Sequence, residues 1–139
     1  MIFFDTNSPI DARVLGVSRG LNSKLFGLIG GKVEPNETYE EAGIREAKEE
    51  CGLTVLRYQY VFSRYSKNFE CRTFLALEYE GSLVPSDEGN LQWLSVPAIC
   101  SKETSAYPDY NFECFKQIEE LRIFIKHLYP NFVMPENFK

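Results

Sequence analysis

Apolar positions along the 139-residue chain recur at two periods, and the switches between them mark the elements. "MIFF" (1–4) is a short apolar run ended by Asp5 and reads as a first strand, and "ARVLGVSR" (12–19) reads as a second. Residues 20–36, rich in Gly, Asn and Pro, read as a loop with short extended pieces. Residues 38–51 read as a helix: Thr38 and Glu41 have capping-box spacing, and Gly52 stands where a helix C-terminal glycine belongs. "LTVLRYQYVFSRYS" (53–66) and "ECRTFLALEYE" (70–80) are rich in β-branched and aromatic residues and predict two long strands, with "LQWLS" (91–95) a shorter one. Pro97 opens a brief helix. Phe112, Phe115, Ile118, Leu121, Ile125 and Leu128 recur at helical spacing and predict one helix over 111–128. Strands and helices are mixed, with no repeat and no linker. The expectation is a single α/β domain over 1–139 with a mixed sheet.

The helix over 38–51 has three faces. Gly43, Ala47 and Cys51 make a stripe of small side chains, with Ile44 beside it, that lets the helix press against a sheet. Lys48 and Glu41 face solvent. Glu46, Glu49 and Glu50 share the third face, within roughly a 100° arc, where like charges at i, i+4 cost about 0.2–0.5 kcal/mol per pair. A solvated acidic face accounts for such a cluster, and so does a bound cation. The loop ahead of the helix bears on that choice. "GGKVEPNE" places Gly30 and Gly31 just before it, and paired glycines let a backbone approach a ligand or take positive φ. A carbonyl from either would help complete the oxygen shell of a Mg²⁺ held by the glutamates.

Composition narrows the partners. A net charge of -5 with no basic run argues against stable binding to nucleic-acid backbones. No apolar run approaches the ~20 residues of a membrane helix, and no signal-peptide core is present. Cys51, Cys71, Cys100 and Cys114 include no C-x-x-C pair and point to reduced thiols in a cytoplasm. His127 is the sole histidine, which argues against His-based zinc sites and Ser-His-Asp triads.

Residues 31–53, G-KVEPN-E-TYEEAGI-REAKEECGL, resemble the Nudix box, G-x5-E-x7-R-E-U-x-E-E-x-G-U with U apolar. The fixed positions fall on Gly31, Glu37, Arg45, Glu46, Glu49, Glu50 and Gly52, and the apolar slots on Ala47 and Leu53. "RVLGVSR" and "LFGLIGGKVE" resemble the segments that precede the box in that family, with Phe26 and Ile29 where Trp and Pro are usual. "EGNLQWLS" resembles a later acidic residue and Trp strand. The resemblance implies the Nudix fold, a mixed β-sheet sandwiched between helices. It also implies Mg²⁺-dependent attack of water on a nucleoside diphosphate linked to another moiety, with Mn²⁺ able to substitute.

Carried onto this chain, the resemblance implies Glu49 and Glu50 as principal metal ligands and Glu46 as a third ligand or the base for the water. The carbonyl of Gly30 or Gly31 is a further ligand. Arg45 and Glu37 pair to fix the loop against the helix; an ordinary helix pair of Arg45 with Glu41 is open beside it. Glu88 is an extra ligand or base, or an exposed loop acid. Arg19 reaches a phosphate or base, or lies on the surface. Trp93 reads as sheet packing, and one of Tyr58, Tyr60, Phe62 and Tyr65 is available to stack on a base. "YPDYN" (107–111) resembles "FPPAN" of the MutT-like branch, where the Asn reads an oxidised guanine. Asn111 takes that role or caps the last helix. The leading expectation is a MutT-like nucleoside triphosphate pyrophosphohydrolase releasing monophosphate and pyrophosphate. An ADP-ribose or nucleotide-sugar pyrophosphatase is the nearest alternative, and a non-catalytic nucleotide sensor is the alternative of another class. The expected partner is a small nucleotide, with the chain a monomer or homodimer.

Overall fold

A computed structural model describes residues 1–20, 24–66, 68–87 and 89–139. Its elements are β1 (Arg13–Ser18), β2 (Phe26–Leu28), α1 (Tyr39–Cys51), β3 (Thr54–Ser66), β4 (Phe69–Glu80), β5 (Leu91–Ser95), α2 (Val96–Ile99), α3 (Pro108–Glu120) and α4 (Arg122–Leu128). β1 is central in an antiparallel sheet of order β2-β1-β5, with Gly16 opposite Leu28 and Leu15 opposite Trp93. β3 and β4 form a long antiparallel pair whose register shifts near Arg57 and between Tyr60 and Phe62, irregularities that bend and twist a strand.

Residues 1–5 join the two sheets. On one flank the Ile2 N–H donates to the Phe74 carbonyl (2.8 Å) and the Ile2 carbonyl accepts from the Ala76 N–H (2.9 Å). On the other, the Leu15 N–H donates to the Phe3 carbonyl (3.1 Å) and the Asp5 N–H to the Arg13 carbonyl (2.8 Å). Ile2 runs parallel to Leu75 and Phe4 antiparallel to Val14, so the joined sheet is mixed, as expected. "MIFF" is therefore strand-like, but it pairs through single bridges rather than a ladder.

Strand alternation sorts the apolar residues onto two buried faces. Met1, Phe3, Leu15, Val17, Phe74 and Ala76 meet Ala47 and Cys51 of α1, with Trp93 packed at the margin. Ile2, Phe4, Val14 and Leu75 meet Ile99, Phe115, Ile118 and Ile125 on the opposite side. The sheet lies between helices, as the family resemblance implies.

Both predicted caps of α1 form. Thr38 Oγ1 accepts from the Glu41 N–H (3.1 Å), and a Glu41 carboxylate oxygen accepts from the Thr38 N–H (3.0 Å). Gly52 ends the helix at φ +80°. The single helix expected over 111–128 is instead two. α3 starts earlier, at Pro108, whose missing N–H costs nothing in a first turn. The chain then breaks at Leu121 and resumes as α4. Phe112 and Leu128, assigned to the apolar stripe, are 57% and 47% exposed. The buried stripe runs through Asn111, Cys114, Phe115, Ile118 and Ile125, and a polar Asn at its head hides it from a hydrophobic count. Among the described residues no helix is long and apolar enough to cross a membrane.

Candidate active site

β2 delivers the chain into the Gly30–Gly31 loop, and α1 faces that loop. The Gly30 N–H donates to Glu50 Oε1 at 2.7 Å, and Glu50 is only 8% exposed. The Ile29 carbonyl accepts from the Met1 amine at 2.6 Å. A Cβ on Gly31 would lie 2.4 Å from the Glu46 carboxylate, whereas one on Gly30 would meet nothing within 4 Å. Neither residue needs positive φ: the left-handed glycines are Gly20, Gly52 and Gly81. Close approach of a carboxylate is therefore the reason for glycine at 31, and it does not extend to 30.

Arg45 ties the acidic groups together. Its Nε donates to Glu37 Oε2 (2.7 Å) and its Nη2 to Glu37 Oε1 (3.0 Å) and the Lys32 carbonyl (2.9 Å). Its Nη1 donates to Glu46 Oε1 (2.9 Å) and Glu49 Oε2 (3.1 Å). The forked bond to Glu37 is the planar match that Arg makes with carboxylates. The Arg45 bonds, with one from the Glu34 N–H, hold the Glu37 carboxyl below the usual carboxylate range. The same partner, Glu37 first, makes the Arg45 guanidinium harder to deprotonate. The expected pair fixing loop to helix is thus present. The alternative pair with Glu41 is not made, since Glu41 turns to the Thr38 N–H. Lys48 reaches the Gly52 carbonyl (3.4 Å), away from the cluster.

The repulsion among the glutamates is offset here by Arg45. Among the described residues no three acidic, His or Cys side chains converge as a ready metal site. The donor chemistry nevertheless fits a hard cation. Glu46, Glu49 and Glu50 offer carboxylate oxygens from one helix, and two of the three already gather around a single cationic group.

Arg19 and Asn111 are held by other elements. Arg19 closes the β1–β2 turn through its N–H to the Leu25 carbonyl (2.9 Å), and its guanidinium carbon stands 5.5 Å from the centroid of the Tyr107 ring. Asn111 does not cap α3, because Tyr107 holds that position. It is 2% exposed, and its Nδ2 donates to the Ile99 carbonyl (2.9 Å) and Ser105 Oγ (3.1 Å). Glu88 lies outside the described residues.

A family model for the NUDIX domain matches residues 3–114. The chain belongs to the Nudix family. A Danio rerio relative described as an oxidized purine nucleoside triphosphate hydrolase is 33% identical over 89 residues, 58% of this chain and 56% of that protein. The NAD-capped RNA hydrolase NudC of Chromobacterium violaceum is 35% identical over 80 residues, 54% of this chain and 30% of that one. The chain thus spans about half of the first of these Nudix relatives and under a third of the second. The solution structure of the E. coli ORF135 protein shares the fold, with a TM-score of 0.67 at 22% identity, over 88% of this chain and 93% of that one.

Proposed function

We propose that this chain is a Mg²⁺-dependent Nudix hydrolase that cleaves a nucleoside triphosphate to a monophosphate and pyrophosphate. The observation that carries the reading is the fit of α1 to the glycine loop: Glu46 against Gly31, and Glu50 bonded by the Gly30 N–H at 2.7 Å. The name of the Danio rerio relative supports the triphosphate. Glu49 and Glu50 would hold the metal, with Glu46 and a Gly30 or Gly31 carbonyl beside them. When bound, the cation neutralises the phosphates and orients the attacking water. Glu46 is the third ligand or accepts the water's proton. Arg45 and Glu37 keep the loop on the helix. Arg19 would meet a phosphate or base. Any base contact by Asn111 falls to its Oδ1, because its two Nδ2 hydrogens are taken. The four free cysteines support a reducing compartment such as the cytoplasm.

The test is turnover of triphosphates, ADP-ribose and nucleotide sugars with Mg²⁺, with products identified. Triphosphates should give monophosphate and pyrophosphate, and chelator should stop the reaction. Glu49→Gln and Glu50→Gln should each lower kcat by orders of magnitude with the fold intact. Preference for ADP-ribose, or tight binding with no product, would overturn the reading.

A further inference from the structure

We infer that Tyr39, Glu70 and Arg72 form a clamp that sets the roll of α1 and so positions its glutamates against the glycine loop. The inference rests on the hydrolase reading above and adds positioning residues to that site. Glu70, Arg72, Phe74 and Ala76 alternate onto one face of β4, and Phe74 and Ala76 belong to the α1-side core. α1 faces them with a stripe at i, i+4, i+8 and i+12: Tyr39, Gly43, Ala47 and Cys51. The two rows run side by side. Arg72 Cζ stands 4.3 Å from the centroid of the Tyr39 ring, and a Cβ on Gly43 would lie 3.8 Å from Phe74 Cδ2. That guanidinium–ring approach is the shortest among the described residues. Arg72 is itself held in place, because its Nε donates to Glu70 Oε2 at 2.6 Å.

A cation beside the first turn of a helix is opposed by the helix dipole. Arg72 is kept there by its bond to Glu70, with Glu40 adding a second negative charge, and the guanidinium is harder to deprotonate as a result. The buried apolar residues of α1 are Ala42, Ala47 and Cys51. Such small side chains let the helix come close to the sheet, but they resist rotation about its axis only weakly. Tyr39 is the one large member of the stripe, and its ring is seated on a charged group anchored in β4. Side chains on a helix reach roughly 5–6 Å from its axis, so a roll of about 10° moves a carboxylate by ~1 Å. That shift breaks the 2.7 Å bond from the Gly30 N–H to Glu50 and changes the close approach of Glu46 to Gly31. The clamp touches neither group and acts on both through the helix.

The experiment follows the Gly30 amide by NMR together with kcat on a nucleoside triphosphate at saturating Mg²⁺. The bond to a carboxylate holds that amide proton downfield and protects it from exchange. Tyr39→Ala and Arg72→Ala should move the resonance upfield, speed its exchange and lower kcat on the order of 10- to 100-fold. Tyr39→Phe keeps the ring under the guanidinium and should match wild type in all three. Ile118→Val, in the core on the other side of the sheet, is the control: it lowers the melting temperature and should leave the Gly30 amide and kcat unchanged. Melting curves establish that each variant is folded. An unmoved Gly30 amide in Tyr39→Ala and Arg72→Ala, or the same changes in Ile118→Val, would overturn the assignment. Because the amide is read without turnover, a Gly30 shift in variants of a protein that hydrolyses nothing would support the clamp while defeating the hydrolase reading.

Discussion

Replacing Gly31 by Ala tests whether the position of the Glu46 carboxylate matters. The added methyl would lie 2.4 Å from Glu46 Cδ and Oε1 and 2.7 Å from Oε2. Ordinary carbon contacts begin near ~3.5 Å, so one group must move by about 1 Å. The backbone at 31 is outside the left-handed region and tolerates alanine. Glu46 is the end of a flexible chain, so the carboxylate yields and leaves Arg45 Nη1, now 2.9 Å away. A displacement of ~1 Å in a reacting group costs on the order of 100-fold in rate, or about 2.7 kcal/mol of barrier at 1.36 kcal/mol per tenfold. Stability should change by no more than about 0.5 kcal/mol. Steady-state kcat/KM on a nucleoside triphosphate, paired with thermal melting, reads both quantities. Gly30→Ala is the comparison: its Cβ would meet nothing within 4 Å, and its loss should be markedly smaller. Equal losses at 30 and 31, wild-type turnover in Gly31→Ala, or a fall in melting temperature large enough to explain the lost activity would refute the reasoning.

Three further outcomes follow from named contacts. Arg45 lowers the Glu37 pKa from 4.5, so its contribution to stability is full above the unfolded carboxylate value and is lost as pH falls through the lower folded one. A carbon-detected NMR titration of Glu37 should show that low midpoint, and Arg45→Ala should raise it; an unmoved midpoint would remove Arg45 as the cause. Asn111→Ala should lower stability by about 1–3 kcal/mol, by unpairing the Ile99 carbonyl and Ser105. Asn111→Asp should be worse, since a carboxylate would face that carbonyl; calorimetric melting of an Asp variant equal to wild type would refute this. Burial pushes the thiols of Cys114 to about 11 and Cys100 to about 12 and also raises Cys51, while Cys71 is exposed. Alkylation of the native protein at pH 8, mapped by mass spectrometry, should label Cys71 first.

α1 was legible because its signals are local: cap residues at fixed offsets and a small-residue stripe that buries Ala47 and Cys51. The strands were legible for the same reason. The cation that balances the glutamates was not. The family pattern paired Arg45 with Glu37, as found, but its further bonds to Glu46 and Glu49, which make it the counter-ion of the cluster, have no signature in the spacing. Asn111 read as a cap because a polar residue at the start of an apolar repeat usually is one. Its actual partners, Ile99 and Ser105, arrive through the tertiary fold.

The seam formed by residues 1–5 has a kinetic consequence. One flank is β1, close in sequence; the other is β4, and the Tyr79 hydroxyl donates to the Phe4 carbonyl across 75 residues. Closing that seam requires the loop-closure entropy of a long intervening chain before most of the packing that offsets it exists. Pairings this distant in sequence slow folding relative to local ones. Until β4 is in place, the flanks of "MIFF" and of β3 that it covers expose apolar, hydrogen-bond-competent edges, the surfaces through which nascent chains associate with one another. A fragment ending before β4 would keep those edges open, and aggregation is its expected fate.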